Sequence, residues 1–167
     1  MDTVSFQKAD IKDSVNILPL LRCTAHWLQA KGIKQWTDFL GEKGREILER
    51  RFHEGEVYKV LQGDLLVGVF VVQWDDTFWH PMKNDQMACW IHTMGLDPSW
   101  MGRGIGCQIL SFVESLAFQN RKKYVRLDCG ADNPRLCGFY ESNGFQKAGT
   151  KFWGDWLIQL YEKQLKD

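Results

Sequence analysis

The sequence lacks an excess of charge of either sign. Lysine and arginine together number 21, aspartate and glutamate also number 21, and the formal net charge at pH 7 is zero. A domain that binds nucleic acid typically carries a basic excess together with a basic aromatic motif. Neither feature is found in this chain, so we expect no nucleic-acid partner.

Long apolar runs and targeting segments are also missing. The longest apolar run, Leu65–Val72, is far shorter than the roughly 20 residues that a membrane span requires. The first ten residues are largely polar and contain no signal-peptide core. We therefore expect a protein of the cytoplasm that has no membrane partner.

The cysteines form no recognisable framework. The five cysteines are an odd number without a CxxC pair, which favours reduced thiols over disulfides. Cys23 and His26 lie one helical turn apart, but no second pair at ligand spacing completes a metal site. The sequence therefore predicts no bound metal.

No linker, repeat or low-complexity tract divides the 167 residues, so we expect one domain over residues 3–165. The apolar periodicity predicts the order β-α-α-β-β-β-α-β-α-β-β, an α/β (α+β) fold with a mixed sheet and helices on both faces. Pro19 is expected to bend the first helix or to mark its true start. The predicted elements are strand 4–8, a helix from Asp10 or Asp13 to Gly32, helix 42–53, strands 56–61 and 65–74, a loop over 75–85 that includes His80-Pro81 and Asn84-Asp85, strand 87–96, helix 105–120, strand 124–129, a helix from Asn133-Pro134 to Asn143-Gly144, and strands 145–153 and 156–161.

The most informative segment is the glycine loop, residues 101–106. Gly102, Gly104 and Gly106 alternate directly before the apolar-periodic helix. Glycines let a backbone turn tightly with its N–H groups outward, and a helix N-terminus adds unpaired donors and partial positive charge. The pattern indicates a ligand that bears phosphate. A Walker-type loop is excluded because no Lys-Ser/Thr pair follows, while a dinucleotide-binding loop, with Asp128 as its acidic residue, and a purely structural turn remain open.

The loop and a second motif together resemble the GNAT superfamily of N-acetyltransferases, and the resemblance covers nearly the whole chain. The first motif is Met94-Gly-Leu96 followed by Asp97-Pro98 and Met101-Gly-Arg-Gly-Ile-Gly106. The second has Asn133 followed seven residues later by Tyr140 and then Glu-Ser-Asn-Gly-Phe145. Met101 departs from the Arg or Gln usual at its position, so it offers only its backbone N–H, and Arg103 is expected to supply charge instead. The resemblance implies a mostly antiparallel sheet of six to seven strands with splayed central strands.

The resemblance also implies acetyl-CoA as co-substrate, lying between the strands that end at Leu96 and Cys129. Backbone groups of two strand residues would pair with the pantetheine arm, an N–H near Met94 would polarise the thioester, and the loop amides would bind the diphosphate. Asn133 has two compatible interpretations, a helix cap and a contact to the cofactor arm. The implied cofactor-binding residues are Met94, Leu96, Met101, Gly102, Arg103, Gly104, Ile105, Gly106 and Asn133.

Two residues are the candidates for proton transfer. The resemblance makes Tyr140 the general acid that reprotonates the leaving thiolate, although the residue could simply pack beside Phe139. His92 is the base candidate because strand alternation would point it to the same side as Met94, and Asp128 is a weaker one. A structural histidine that merely lines the groove is the alternative.

The expected reaction is direct transfer of an acetyl group to a primary amine of a small molecule or peptide. A catalytically silent acyl-CoA-binding or sensing module is the alternative from another class. Trp36 and Trp79 are expected to line the acceptor groove better than Trp90, since both lie in predicted loops. Pairing of the last strands would make a homodimer.

Overall fold

The computed structural model describes residues 3–76, 78–79 and 86–166, and its elements follow the predicted order. Short 3-10 helices precede three of the α-helices. The strands and α-helices of the described ranges are β1 (Ser5–Lys8), α1 (Ser14–Ala30), α2 (Lys43–Glu54), β2 (Glu56–Gln62), β3 (Leu65–Gln73), β4 (Ala88–Leu96), α3 (Ile105–Gln119), β5 (Tyr124–Gly130), α4 (Pro134–Ser142), β6 (Gln146–Trp153) and β7 (Trp156–Gln164).

All seven strands belong to one mixed sheet in the order β1-β2-β3-β4-β5-β7-β6. The apolar β4 is the central strand. It pairs in parallel with β5, and the registered pairs are the first three residues of each strand, Ala88–Trp90 with Tyr124–Arg126. This short register agrees with the predicted splay of the central strands. β7 pairs antiparallel with both β5 and β6, so the last strand of the chain lies inside the sheet and β6 lies at its edge.

Local signals set the ends of the helices. Asp10 and Asp13 form a capping box around a 3-10 turn, and α1 follows directly from Ser14. Pro19 therefore lies inside α1 rather than at its start, where it is exposed and leaves one carbonyl to water. Gly32 has a φ of +74° just after α1 ends, and Gly144 has a φ of +88° after α4, as the C-terminal glycines predicted.

The chain forms two compact units, each with its own core. Unit 1 contains the residues up to Val72 together with Thr93–Ile109. Its core packs α1 and α2 with strands β2 and β3. The buried residues of this cluster are Ile17, Leu18, Leu20, Leu21, Ala25, Phe39, Leu48, Val57, Val69 and Val71.

Unit 2 contains the described residues of Gln73–His92 and Leu110–Asp167. One of its buried clusters joins Trp79 to residues of β4 and β7, namely Ala88, Trp90, Ile158 and Leu160. The predicted loop 75–85 is described only at residues 75–76 and 78–79, so His80-Pro81 and Asn84-Asp85 lie outside the described residues. Within the described ranges, every helix is too short or too polar to cross a bilayer.

Candidate active site

The glycine loop has the conformation that its composition predicted. Gly102 has a φ of +76° and Gly104 a φ of +78°, values that glycine adopts without the strain of other residues. α3 begins at Ile105, whose side chain is 1% exposed and anchors the start of the helix. Such alternation of backbone handedness turns successive N–H groups toward one side, which is the geometry of an anion-binding nest.

Among the described residues, four of the six loop amides have no backbone acceptor. In the described part of the chain, the N–H groups of Gly102, Gly104, Ile105 and Gly106 donate to no other backbone group, as expected at the start of a helix. The N–H of Met101, in contrast, donates to the carbonyl of Pro98 at 3.3 Å. The N–H of Met101 thus has a partner in the preceding 3-10 turn, and its contact with the cofactor stays a prediction.

A positive side chain lies next to the loop. The guanidinium of Arg103 lies 4.5 Å from the centre of the Trp100 ring, a cation–π distance. Asp97 fixes the turn that carries Trp100, since its side chain accepts from the N–H of Ser99 and its own N–H donates to Val67 at 2.9 Å. Arg103 is exposed, and its charge is held beside the amides of the glycine loop.

The end of β4 is irregular in a way that sequence reasoning missed. Thr93 has a φ of +49°, and its hydroxyl accepts a hydrogen bond from Nε of Arg51 at 3.2 Å. A left-handed residue interrupts the regular pleat of a strand. Simple alternation therefore no longer predicts that His92 points to the same side as Met94, which corrects that argument.

Gly95 and Leu96, at the end of β4, contact other residues of unit 1. The carbonyl of Leu96 accepts from the hydroxyl of Thr24 at 2.9 Å. Gly95 lies under Trp36, where an ideal Cβ would stand 2.6 Å from the indole ring. Trp36 is thus partly buried against β4. Trp79 is fully buried in the core of unit 2, so the expectation that it lines an acceptor groove is wrong.

The base candidate His92 has a carboxylate partner, Asp76. Nε2 of His92 hydrogen-bonds to Oδ2 of Asp76, and the two side chains are 11% and 4% exposed. Burial by itself raises the pKa of Asp76, but the hydrogen bond and charge of His92 and the backbone N–H groups of Phe78 and Trp79 outweigh it, so the pKa lies below its usual value. Sequence reasoning missed this pair, because Asp76 lies in a predicted loop and no local pattern links it to His92.

The acid candidate Tyr140 is buried among aromatic rings. Its side chain is 5% exposed, and its ring centroid lies 5.3 Å from Phe139, 6.0 Å from Phe145 and 5.9 Å from Tyr161. Burial raises the pKa of the phenol, and nearby Cys129 raises it further. The hydroxyl therefore stays protonated, so in its ground state it can donate a proton but cannot act as a base.

Asn133 caps α4 as predicted. Its Oδ1 accepts from the N–H of Leu136 at 3.2 Å, Pro134 occupies the first turn, and the Asn133 side chain is buried. The contact of Asn133 with a cofactor arm remains a prediction.

The sequence matches the model of the acetyltransferase (GNAT) family over residues 22–145. It is 28% identical over 161 residues to the Bacillus subtilis protein named uncharacterized N-acetyltransferase YesJ, an alignment that covers 92% of this chain and 86% of that protein. The fold is similar to that of a GNAT-family acetyltransferase from Listeria monocytogenes, with a TM-score of 0.79 and 27% identity over 97% of this chain and 95% of the other. It is also similar to a GNAT-family acetyltransferase from Elizabethkingia anophelis that was solved with acetyl-CoA bound, with a TM-score of 0.71 and 15% identity over 99% and 100% of the two chains. Because the family model spans most of its length, the chain belongs to the acetyltransferase (GNAT) family and is an acyltransferase.

Proposed function

We propose that the protein transfers the acetyl group of acetyl-CoA directly to a primary amine of a small molecule or peptide. Membership of the GNAT family and the acetyl-CoA held by a protein of the same fold support this reaction. The observation that carries the proposal is the glycine loop, with its left-handed glycines and its available N–H groups at the start of α3. This is the backbone arrangement that a diphosphate requires.

The residues of the loop suit the diphosphate of coenzyme A. Gly102 faces open space, since nothing lies within 4 Å of an ideal Cβ at this position, so a ligand can approach its backbone closely. Arg103 adds a positive charge. Backbone groups of Met94 and Leu96 would hold the pantetheine arm as an added strand, and Asn133 would contact it. We assign the diphosphate to the backbone of Gly102, Arg103, Gly104, Ile105 and Gly106.

The amine must lose a proton before it can attack the thioester. An alkyl ammonium with a pKa near 10 is protonated at pH 7, so freeing its lone pair costs about 4 kcal/mol. His92 is the side chain that we assign to this step, because an imidazole accepts and releases protons near neutral pH. The hydrogen bond between His92 and the carboxylate of Asp76 supports this assignment, since a carboxylate stabilises the imidazolium that forms.

The leaving thiolate must then take up a proton. Tyr140 is the donor that we assign to this step, because a phenol is protonated at neutral pH and its side chain is buried, so it can meet a sulfur atom without competition from water. A hydrogen bond from the phenol also stabilises the negative charge that develops on sulfur as the C–S bond breaks.

A thiol-release assay tests the proposal. Purified protein is mixed with acetyl-CoA and a panel of amines that includes polyamines, amino acids, aminoglycosides and peptide N-termini, while calorimetry measures acetyl-CoA binding separately. Release of free thiol that depends on one class of amine, together with an acetylated product identified by mass spectrometry, would support the proposal. Binding without transfer to any amine would favour the silent acyl-CoA-binding module, and absence of binding would overturn both.

A further inference from the structure

We propose that Asp76 is a positioning residue that holds His92 in the tautomer protonated on Nε2, so that Nδ1 is the nitrogen that accepts the proton of the acceptor amine. The inference rests on the proposed function, in which His92 is the base. It goes further, because it names the reacting atom and the residue that determines it.

The two carboxylate oxygens of Asp76 bind different partners. Oδ1 accepts from the backbone N–H of Phe78 at 2.5 Å and from that of Trp79 at 3.4 Å, which fixes the carboxylate to its own loop segment. Oδ2 faces Nε2 of His92. The carboxylate is therefore held from the backbone side and directed at the imidazole, as a group that orients another side chain must be.

The tautomer follows from the ionisation of Asp76. The lowered pKa of this carboxyl means that it is ionised at neutral pH, and an ionised carboxylate can only accept hydrogen bonds. Nε2 of His92 must then be the donor. In a neutral imidazole only one nitrogen carries a proton, so Nδ1 keeps the lone pair.

The proton balance of the step is simple. The lone pair of Nδ1 forms a new N–H bond as the ammonium of the acceptor loses one, so the acceptor becomes a free amine and His92 becomes a cation. The positive charge is then placed beside the Asp76 carboxylate, which stabilises it. Without that carboxylate, a mostly buried imidazolium would be costly.

Two charged side chains of the described residues near the pair have partners of their own. The ammonium of Lys151, from β6, donates to the carbonyl of Phe78 and lies 4.2 Å from the centre of that ring. Arg126, from β5, pairs with Glu162 of β7 at 2.7 Å. Lys151 is useful as a control, because it anchors the same loop segment as Asp76 without binding His92.

The test compares wild type, Asp76→Asn and Lys151→Met. Nitrogen-15 NMR of labelled histidine, assigned with His92→Gln, reports which ring nitrogen carries the proton. We expect the Nε2–H form of His92 in the wild type and in Lys151→Met, and a growing share of the Nδ1–H form in Asp76→Asn, whose amide can also donate. For transfer to the amine found active, Asp76→Asn should lower kcat by about 10- to 100-fold with an unchanged KM for acetyl-CoA.

Several results would overturn the inference. The first is a wild-type His92 that is protonated on Nδ1. This measurement uses only the wild-type protein, so it can be made even if Asp76→Asn fails to fold. The second is an Asp76→Asn enzyme with the kcat and the His92 tautomer of the wild type. The third is a Lys151→Met enzyme with the same losses as Asp76→Asn, which would show loop anchoring alone. In each case a wild type that acetylates its amine leaves the proposed function standing. A wild type inactive toward every amine would instead refute the proposed function and, with it, the role of Nδ1 as a base.

Discussion

Tyr140→Phe removes a single hydroxyl from the candidate active site and separates catalysis from packing. The ring keeps its contacts with Phe139, Phe145 and Tyr161, at centroid distances between 5.3 and 6.0 Å. We therefore expect the free energy of unfolding and the affinity for acetyl-CoA to remain close to those of the wild type. Loss of a general acid typically lowers a rate by about 10²- to 10⁴-fold, equivalent to roughly 3–5 kcal/mol on the barrier.

Tyr161→Phe is the matched control, because it removes a hydroxyl from the neighbouring buried tyrosine. Oη of Tyr161 donates to Oε1 of Glu141 at 2.8 Å, so this variant loses a hydrogen bond to a charged acceptor. The Glu141 side chain is 46% exposed, and water can replace part of that interaction, which reduces the expected cost to about 1 kcal/mol. In a domain of this size such a loss lowers Tm by roughly 2–4 °C.

The two variants should therefore show opposite patterns. Thiol release at saturating acetyl-CoA measures kcat, thermal unfolding measures stability, and calorimetry measures cofactor affinity. Tyr140→Phe should lose turnover and keep its Tm, whereas Tyr161→Phe should lose Tm and keep its turnover. If Tyr140→Phe retains full turnover, or if both variants lose turnover and stability in parallel, Tyr140 is a packing residue and not the acid.

Three further experiments test the loop, the cap and the thiols. Gly102→Ala should introduce about 1–2 kcal/mol of left-handed backbone strain without a steric clash. Part of this cost should appear as a lower free energy of unfolding in urea, and part as a lower affinity for acetyl-CoA in calorimetry. Gly63→Ala is the control, because Gly63 has a φ of +58° in the β2–β3 turn and equally open space around it. This variant should lose stability alone. If both variants bind acetyl-CoA with equal affinity, that result would argue against diphosphate binding by the glycine loop. Asn133→Ala should destabilise the protein by about 1 kcal/mol through loss of the helix cap. Asn133→Asp keeps the cap, so an unchanged affinity for acetyl-CoA in this variant would refute the cofactor contact of Asn133. Burial raises the pKa of Cys89 to about 12, whereas Cys23 is exposed. Alkylation of the native protein at pH 8 should therefore modify Cys23 well before Cys89, which peptide mass mapping measures. Equal labelling of the two thiols would contradict the burial of Cys89.

Local sequence determined the order of elements and most of their ends, because these depend on nearby residues. Gly63 turns the β2–β3 hairpin, Asn133 and Pro134 start α4, and Gly144 follows its end, as the propensities of these residue types predict. The glycine loop could be predicted for the same reason, since left-handed backbone just before a helix requires glycine at particular positions.

Only the tertiary structure decided which groups meet. Asp76 and His92 are 16 positions apart and contact each other only because the residues just after β3 lie beside the middle of β4. The left-handed Thr93 and its bond from Arg51 likewise depend on how α2 packs against β4, which no period of apolar residues encodes. Residue type and spacing thus determined the backbone that can hold a phosphate, whereas the tautomer and charge of the catalytic candidates depend on distances that arise only when remote segments pack together.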